Sequence, residues 1–194
     1  MLFSATVTKE VRNIIDKYLS KDYAFIEIQP EKIVVERINH SFVLLQQHQK
    51  LEVLTKWLDT YQKEKIIIFT QTKRSTSWLS DILKERGYKV GHLSGDMEQR
   101  DRIRSLKSYQ ADESRVMIAT DVASRGLNMK DIDIVINYDV PEDPESYVHR
   151  IGRTGRAGRA GASLSLVDKS ELKYLRAIEK LIKQNIDPIQ IEGW

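Results

Sequence analysis

Short unbroken apolar runs, spaced by amphipathic stretches, constrain the fold of this chain more than any other feature. Ile66-Ile67-Ile68-Phe69 and Val116-Met117-Ile118-Ala119 contain no polar alternation. A strand with one wet face alternates polar and apolar residues, so runs of this kind belong to strands covered on both sides. Strands are predicted at 25–28, 35–45, 66–69, 90–93, 116–119, 134–137 and 162–167. Between them, apolar residues recur at helical spacing: Leu51, Leu54, Trp57 and Leu58; Trp78, Leu79, Ile82 and Leu83; Leu172, Leu175, Ile178 and Ile182. Trp57 and Trp78 fall on these apolar faces and are expected in the core. Strand–helix alternation implies right-handed crossovers. The fold class is therefore α/β, a three-layer domain with a mostly parallel sheet covered by helices on both faces.

Composition narrows the class. The 194 residues suit one large domain. No apolar run approaches the roughly 18 residues of a membrane span, so no membrane association is expected. The opening Met-Leu-Phe-Ser-Ala-Thr lacks the pattern of a secretory signal. Absence of cysteine excludes disulfides and thiolate metal sites, and fits an intracellular setting, cytoplasmic and nuclear alike. A net charge of +3 is too mild for a polybasic protein, so any phosphate binding must come from local clusters.

The strongest cluster is 147–159, Tyr-Val-His-Arg-Ile-Gly-Arg-Thr-Gly-Arg-Ala-Gly-Arg, with Arg150, Arg153, Arg156 and Arg159 separated by glycines. Guanidinium groups stay charged and grip phosphate oxygens in a fork, and glycine lets backbone approach a ligand. The predicted strands also run into small polar residues: Thr70-Gln71-Thr72-Lys73, Ser94-Gly95-Asp96 and Thr120-Asp121. Ligands of open parallel sheets collect beyond such ends. Helix starts are predicted from Asp143-Pro144-Glu145, and from capping boxes at Asp168/Glu171 and Asp96/Gln99. None of the nine glycines opens a Gly-x-x-x-x-Gly-Lys-Ser/Thr loop, and the four histidines lack metal-ligand spacing, so no metal site is expected. Arginine donors without a triphosphate cradle look like half of a site, completed by another domain.

These residues closely resemble the second RecA-like domain of DEAD-box ATP-dependent RNA helicases, from end to end. Ser4-Ala5-Thr6 is similar to motif III, which in that family ends the first domain. Phe69-x-x-Thr72-Lys73-Arg74 is similar to motif IV, and Gly95-Asp96-x-x-Gln99-x-x-Arg102 to the Gln-x-x-Arg motif. The stretch from Ala119 through Arg125-Gly126-Leu127 is similar to motif V, and His149-Arg-Ile-Gly-Arg153-Thr-Gly-Arg156 to motif VI. The resemblance implies that 1–20 is the tail of a first helicase domain with a connecting helix, that 21–194 is the helicase C-terminal domain, and that Met1 marks a cut within a longer parent chain.

The resemblance also implies roles. Arg153 and Arg156 would contact the γ-phosphate of ATP, with Arg156 as the arginine finger and His149 coupling the nucleotide site to motif III. Ser4, Thr6 and Arg125 would serve interdomain coupling. Gln99, Arg102, Thr120 and Gly126 would line the RNA path. ATP with Mg2+ would be bound mainly by the first domain, and the fragment alone would be inactive. Partners would be RNA and the N-terminal helicase domain of the same parent, with the protein a monomer. At position 128 the family usually carries Asp against the ribose; here Asn128 implies weaker ribose recognition. Ser94 stands where many family members have His, a change expected to matter little. Two alternatives stay open. One is a DNA helicase domain of a related class, against which His149 argues, because those groups carry Gln there. The other is a non-catalytic RNA-binding or protein-docking module.

Overall fold

The computed structural model describes residues 9–19, 23, 24, 26, 38–124, 129, 132–155 and 159–190. The chain divides into two compact units, 1–31 and 32–194. The first contains one described helix, α1 (Lys9–Tyr18). The predicted strand at 25–28 lies, apart from Ile26, outside the described residues.

The second unit is a seven-stranded sheet in the order β3-β4-β2-β5-β6-β1-β7, every neighbouring pair parallel. Its strands are β1 (Ile38–Leu44), β2 (Ile66–Phe69), β3 (Val90–Leu93), β4 (Val116–Ala119), β5 (Ile134–Asn137), β6 (Gly161–Val167) and β7 (Asp187–Pro188). The intervening helices are α2 (Lys50–Thr60), α3 (Lys73–Glu85), α4 (Gln99–Gln110), α5 (Asp121–Ser124), α6 (Pro144–Ile151) and α7 (Leu172–Ile182). Four predicted strands coincide with observed ones, and β7 is an addition that periodicity over two residues could not reveal.

Alternate residues of one strand feed opposite faces. Ile66 and Ile68 pack with Val53, Leu54 and Leu58 of α2 and Leu79 and Leu83 of α3. Ile67 and Phe69 pack with Tyr109 of α4 and Ala123 of α5 on the other face. Further along that face, Ile38 and Phe42 of β1 meet Tyr147 and Ile151 of α6 and Leu175 and Ile178 of α7. The division follows from handedness. The chain moves toward one edge through β1, β2 and β3, then returns, and right-handed crossovers force the helices of each leg onto opposite faces. Trp57 packs against the core as expected, but Trp78 is 47% exposed, because the apolar stripe of α3 is narrow and Leu79 and Leu83 fill it.

β2 and β5 are neighbours whose outgoing connections leave in opposite directions. Their carboxyl ends therefore frame the crevice where ligands of doubly wound sheets collect.

Candidate functional site

The rim of this crevice is built from the loops after β2, β3 and β4 and from the end of α6. After β2, Thr72 caps α3: its hydroxyl accepts the Ser75 N–H at 3.1 Å, so the helix begins at the rim with Lys73 and Arg74 exposed. After β3, Ser94 donates its hydroxyl to Asp96 Oδ1 at 2.6 Å, and Lys73 Nζ lies 3.5 Å from Asp96 Oδ2. The Ser94 hydrogen bond, before any other influence, holds the Asp96 carboxyl below the ordinary carboxylate range.

That arrangement corrects the capping box predicted for Asp96 and Gln99. The residue before α4 is Glu98, which makes no side-chain cap, and Gln99 is the first helical residue. Asp96 stands two positions too early and its carboxylate is committed to Ser94 and Lys73. Gln99 is exposed, and its side chain makes no hydrogen bond among the described residues. Arg102, one turn on, is half-buried and donates from Nη2 to the Ala123 carbonyl at 2.7 Å, fastening α4 to α5. Thr120 Oγ1 accepts the Ala123 N–H at 3.3 Å, so this half-exposed hydroxyl caps α5 at the rim.

α6 presents motif VI. Asp143 caps it, accepting the N–H groups of Glu145 and Ser146 at 3.3 and 3.0 Å, with Pro144 in the first turn as predicted. Adjacent helical residues project about 100° apart, so His149 and Arg150 can meet different surroundings. His149 is exposed and Arg150 is 2% exposed. Arg150 is not a phosphate donor, contrary to its place in the arginine series. Its Nε and Nη2 fork onto Asp121 at 2.7 and 2.8 Å. Its Nη1 donates to Asn137 Oδ1 at 3.1 Å and to the Asp139 carbonyl at 2.8 Å, and the guanidinium lies 5.0 Å from the Phe69 ring centre.

A second cation completes this floor. Lys50, 0% exposed at the start of α2, donates to the Tyr138 carbonyl at 2.9 Å and to Glu171 at 2.8 Å, with Asp139 Oδ1 at 3.9 Å. Asp139 Oδ2 in turn accepts the Gln71 N–H at 2.8 Å. The crevice between β2 and β5 is thus floored by side chains that bind one another and stitch the loops after β2, β4 and β5 together. Sequence reasoning overlooked Lys50, Asn137 and Asp139. For Lys50 a signal existed, since it occupies the apolar register of Leu54, Trp57 and Leu58.

Beyond α6 the chain is pinned. Thr154 is buried and donates its hydroxyl to the Ile132 and Asp133 carbonyls, at 2.6 and 3.0 Å. Gly155 has φ of +67°, which favours glycine. A Cβ on Gly161 would stand 2.5 Å from Thr154 Oγ1 and 2.7 Å from Gly155 N, so only glycine lets β6 begin against this loop. Arg153, half-buried, sits between α6 and the pin. Ser4, Thr6, Arg125, Gly126, Asn128 and Arg156 lie outside the described residues.

Residues 49–158 match the model of the helicase conserved C-terminal domain. The chain belongs to this helicase family. Over its full length the helicase domain is 39% identical to the ATP-dependent RNA helicase CshA of Listeria monocytogenes, of which it covers 37%. Among solved structures it resembles Saccharomyces cerevisiae Dbp5 bound to RNA and ADP BeF3, at 31% identity and a TM-score of 0.82, over 99% of this chain and 51% of that one. It also resembles a DEAD box protein from the hyperthermophile Methanococcus jannaschii, at 38% identity and a TM-score of 0.74, over 97% and 50%. The fold of the helicase domain is thus RecA-like, and the chain spans well under half the length of the Listeria relative.

Proposed function

We propose that this chain is the C-terminal domain of an ATP-dependent RNA helicase that completes an ATP site founded on the preceding domain and holds one RNA strand at its rim. The observation that carries the reading is the anchoring of motif VI: Arg150 is held by the buried floor, and the loop that follows α6 is pinned through Thr154 and Gly161. Transition-state charge stabilisation needs donors held in place, because preorganised donors cost no rearrangement during reaction. Arg153 and Arg156 would supply positive charge to the γ-phosphate. His149, exposed on α6, would couple the nucleotide site to motif III, with Ser4, Thr6 and Arg125 serving interdomain coupling.

Mg2+ would be bound with ATP, mainly by the first domain. Gln99, Arg102, Thr120 and Gly126 would contact sugar and phosphate, which gives grip without sequence preference. The protein would act as a monomer inside the cell, and this fragment alone would not turn over ATP.

The test uses the two-domain parent. Arg156→Ala is expected to lower RNA-stimulated ATP turnover by about 10³-fold or more with RNA affinity retained. Asn128→Asp is expected to tighten ATP binding. Undiminished turnover in Arg156→Ala would remove the arginine-finger reading.

A further inference from the structure

We propose that the outer face of α4 is a second RNA contact, a groove that takes the backbone of single-stranded RNA continuing past the rim. The inference rests on the RNA reading above and extends it to residues outside the family motifs. Arg100, Ile103, Arg104, Lys107, Ala111 and Glu113 line a depression of about 350 Å³. α4 connects the carboxyl end of β3 to the amino end of β4, so it descends from the rim. Its 12 residues span about 18 Å. Arg100, Arg104 and Lys107 recur at helical spacing and form one stripe along that length.

A solvated helix face ordinarily interleaves opposite charges at this spacing, and like charges four apart are destabilising by a few tenths of a kcal/mol. Here Arg100 and Arg104 are four apart. Arg104 has a single partner, Asp101 at 3.5 Å, and both side chains are more than half exposed, so the pair is weak. Arg100 and Lys107 have neither an ion pair nor a hydrogen bond among the described residues. The stripe is a cationic surface left open for an anion. Ile103, 43% exposed, and the exposed Ala111 add an apolar floor between the cations, on which a ribose or base can lie. Cations along a groove with an apolar floor suit a single strand. Continuity decides for RNA over an acidic peptide: Gln99 and Arg102, on the first turn of the same helix, stand at the rim where the strand is expected, and a strand leaving them meets Arg100 and then Arg104.

The test measures binding of fluorescein-labelled oligouridine of about six and about twelve nucleotides, within the site sizes usual for such grooves. The 194-residue chain is compared with the triple variant Arg100→Gln/Arg104→Gln/Lys107→Gln, as a function of salt. All three side chains are exposed, so the variant is expected to keep the parent's melting temperature. The parent is expected to bind the longer RNA more tightly, with a salt slope steeper by about two, the yield of three single-strand phosphates. The variant is expected to keep its affinity for the short RNA and lose the gain with length. A variant that retains the gain and the slope overturns the groove. So does a parent that binds both lengths alike, which leaves the rim reading standing. A parent that binds neither RNA overturns both. If oligoglutamate binds the parent but not the variant, and long RNA is held equally by both, the face docks protein and the proposal falls.

Discussion

Arg150 and Arg153 stand three residues apart in one motif. The first is a buried fork on Asp121, supported by Asn137 and the Asp139 carbonyl. Removing one member of such a pair strands the other charge, at a cost of about 3–5 kcal/mol. Arg150→Ala is therefore expected to lower unfolding stability by that amount, read by urea titration of the chain. Arg150→Lys should recover only part, because an ammonium cannot reproduce the planar fork. A loss under about 1 kcal/mol for Arg150→Ala would contradict the structural role assigned to it. By residue type and spacing alone, nothing marks Arg150 as buried. What holds it is Asp121, 29 residues away, and no local pattern records that distance. The partner of Lys50 was obscured for the same reason, since Glu171 lies 121 residues on.

At the level of elements, local chemistry was easier to read. Continuous apolar runs placed β2, β4 and β5, and Asp143-Pro144 placed the start of α6. Asp168 and Glu171 make the predicted reciprocal bonds, with the Glu171 N–H to Asp168 Oδ1 at 3.2 Å and the Asp168 N–H to Glu171 Oε2 at 3.0 Å, but these close the turn before α7, whose N-cap is Glu171 itself. Asp96 and Gln99 show the same spacing and fail, because Ser94 and Lys73 compete for the carboxylate. The junction of β6 with the motif VI loop carries a sharper expectation. Gly161→Ala drives a methyl against the Thr154 side chain and Gly155 backbone, and overpacking of this kind costs about 1–3 kcal/mol. The variant is expected to lose stability in that range and, in the two-domain parent, to lose ATP turnover more than RNA affinity, because the displaced segment adjoins Arg153. Stability and turnover both equal to the parent's would show that the loop is not pinned there.

Across the whole domain, strand order was the least legible property. β1 and β2 follow one another in sequence, yet β6 and β5 stand between them, and only long-range pairing decides that. Acid response is also a property of the assembled sheet. His92 on β3 is half-buried, with Ser80 Oγ 3.3 Å from Nδ1. Burial first, and then Lys84, pull its pKa below the ordinary 6.5, against the opposing influence of Asp81 and Asp96. The unfolded chain therefore binds this proton more readily than the folded one. The stability contributed by neutral His92 is complete above 6.5 and is lost as pH falls through the lower folded value. His92→Gln is expected to flatten the decline of melting temperature between about pH 7 and about pH 5. An unchanged decline would rule out His92 as its source.

The pairing of β1 with β6 bears on how the chain is made. Ser41 and Ser163 meet across that ladder from 122 residues apart. On a ribosome, the 38–44 segment emerges long before the strand that will flank it, and its open edges must wait for most of the domain to be synthesised. Contacts closed over such spans are slow to form and leave strand edges open to neighbouring chains. Nascent chains stalled ahead of Gly161 are thus the species most prone to aggregate, and slowing translation over the second half of the message would lengthen that exposure.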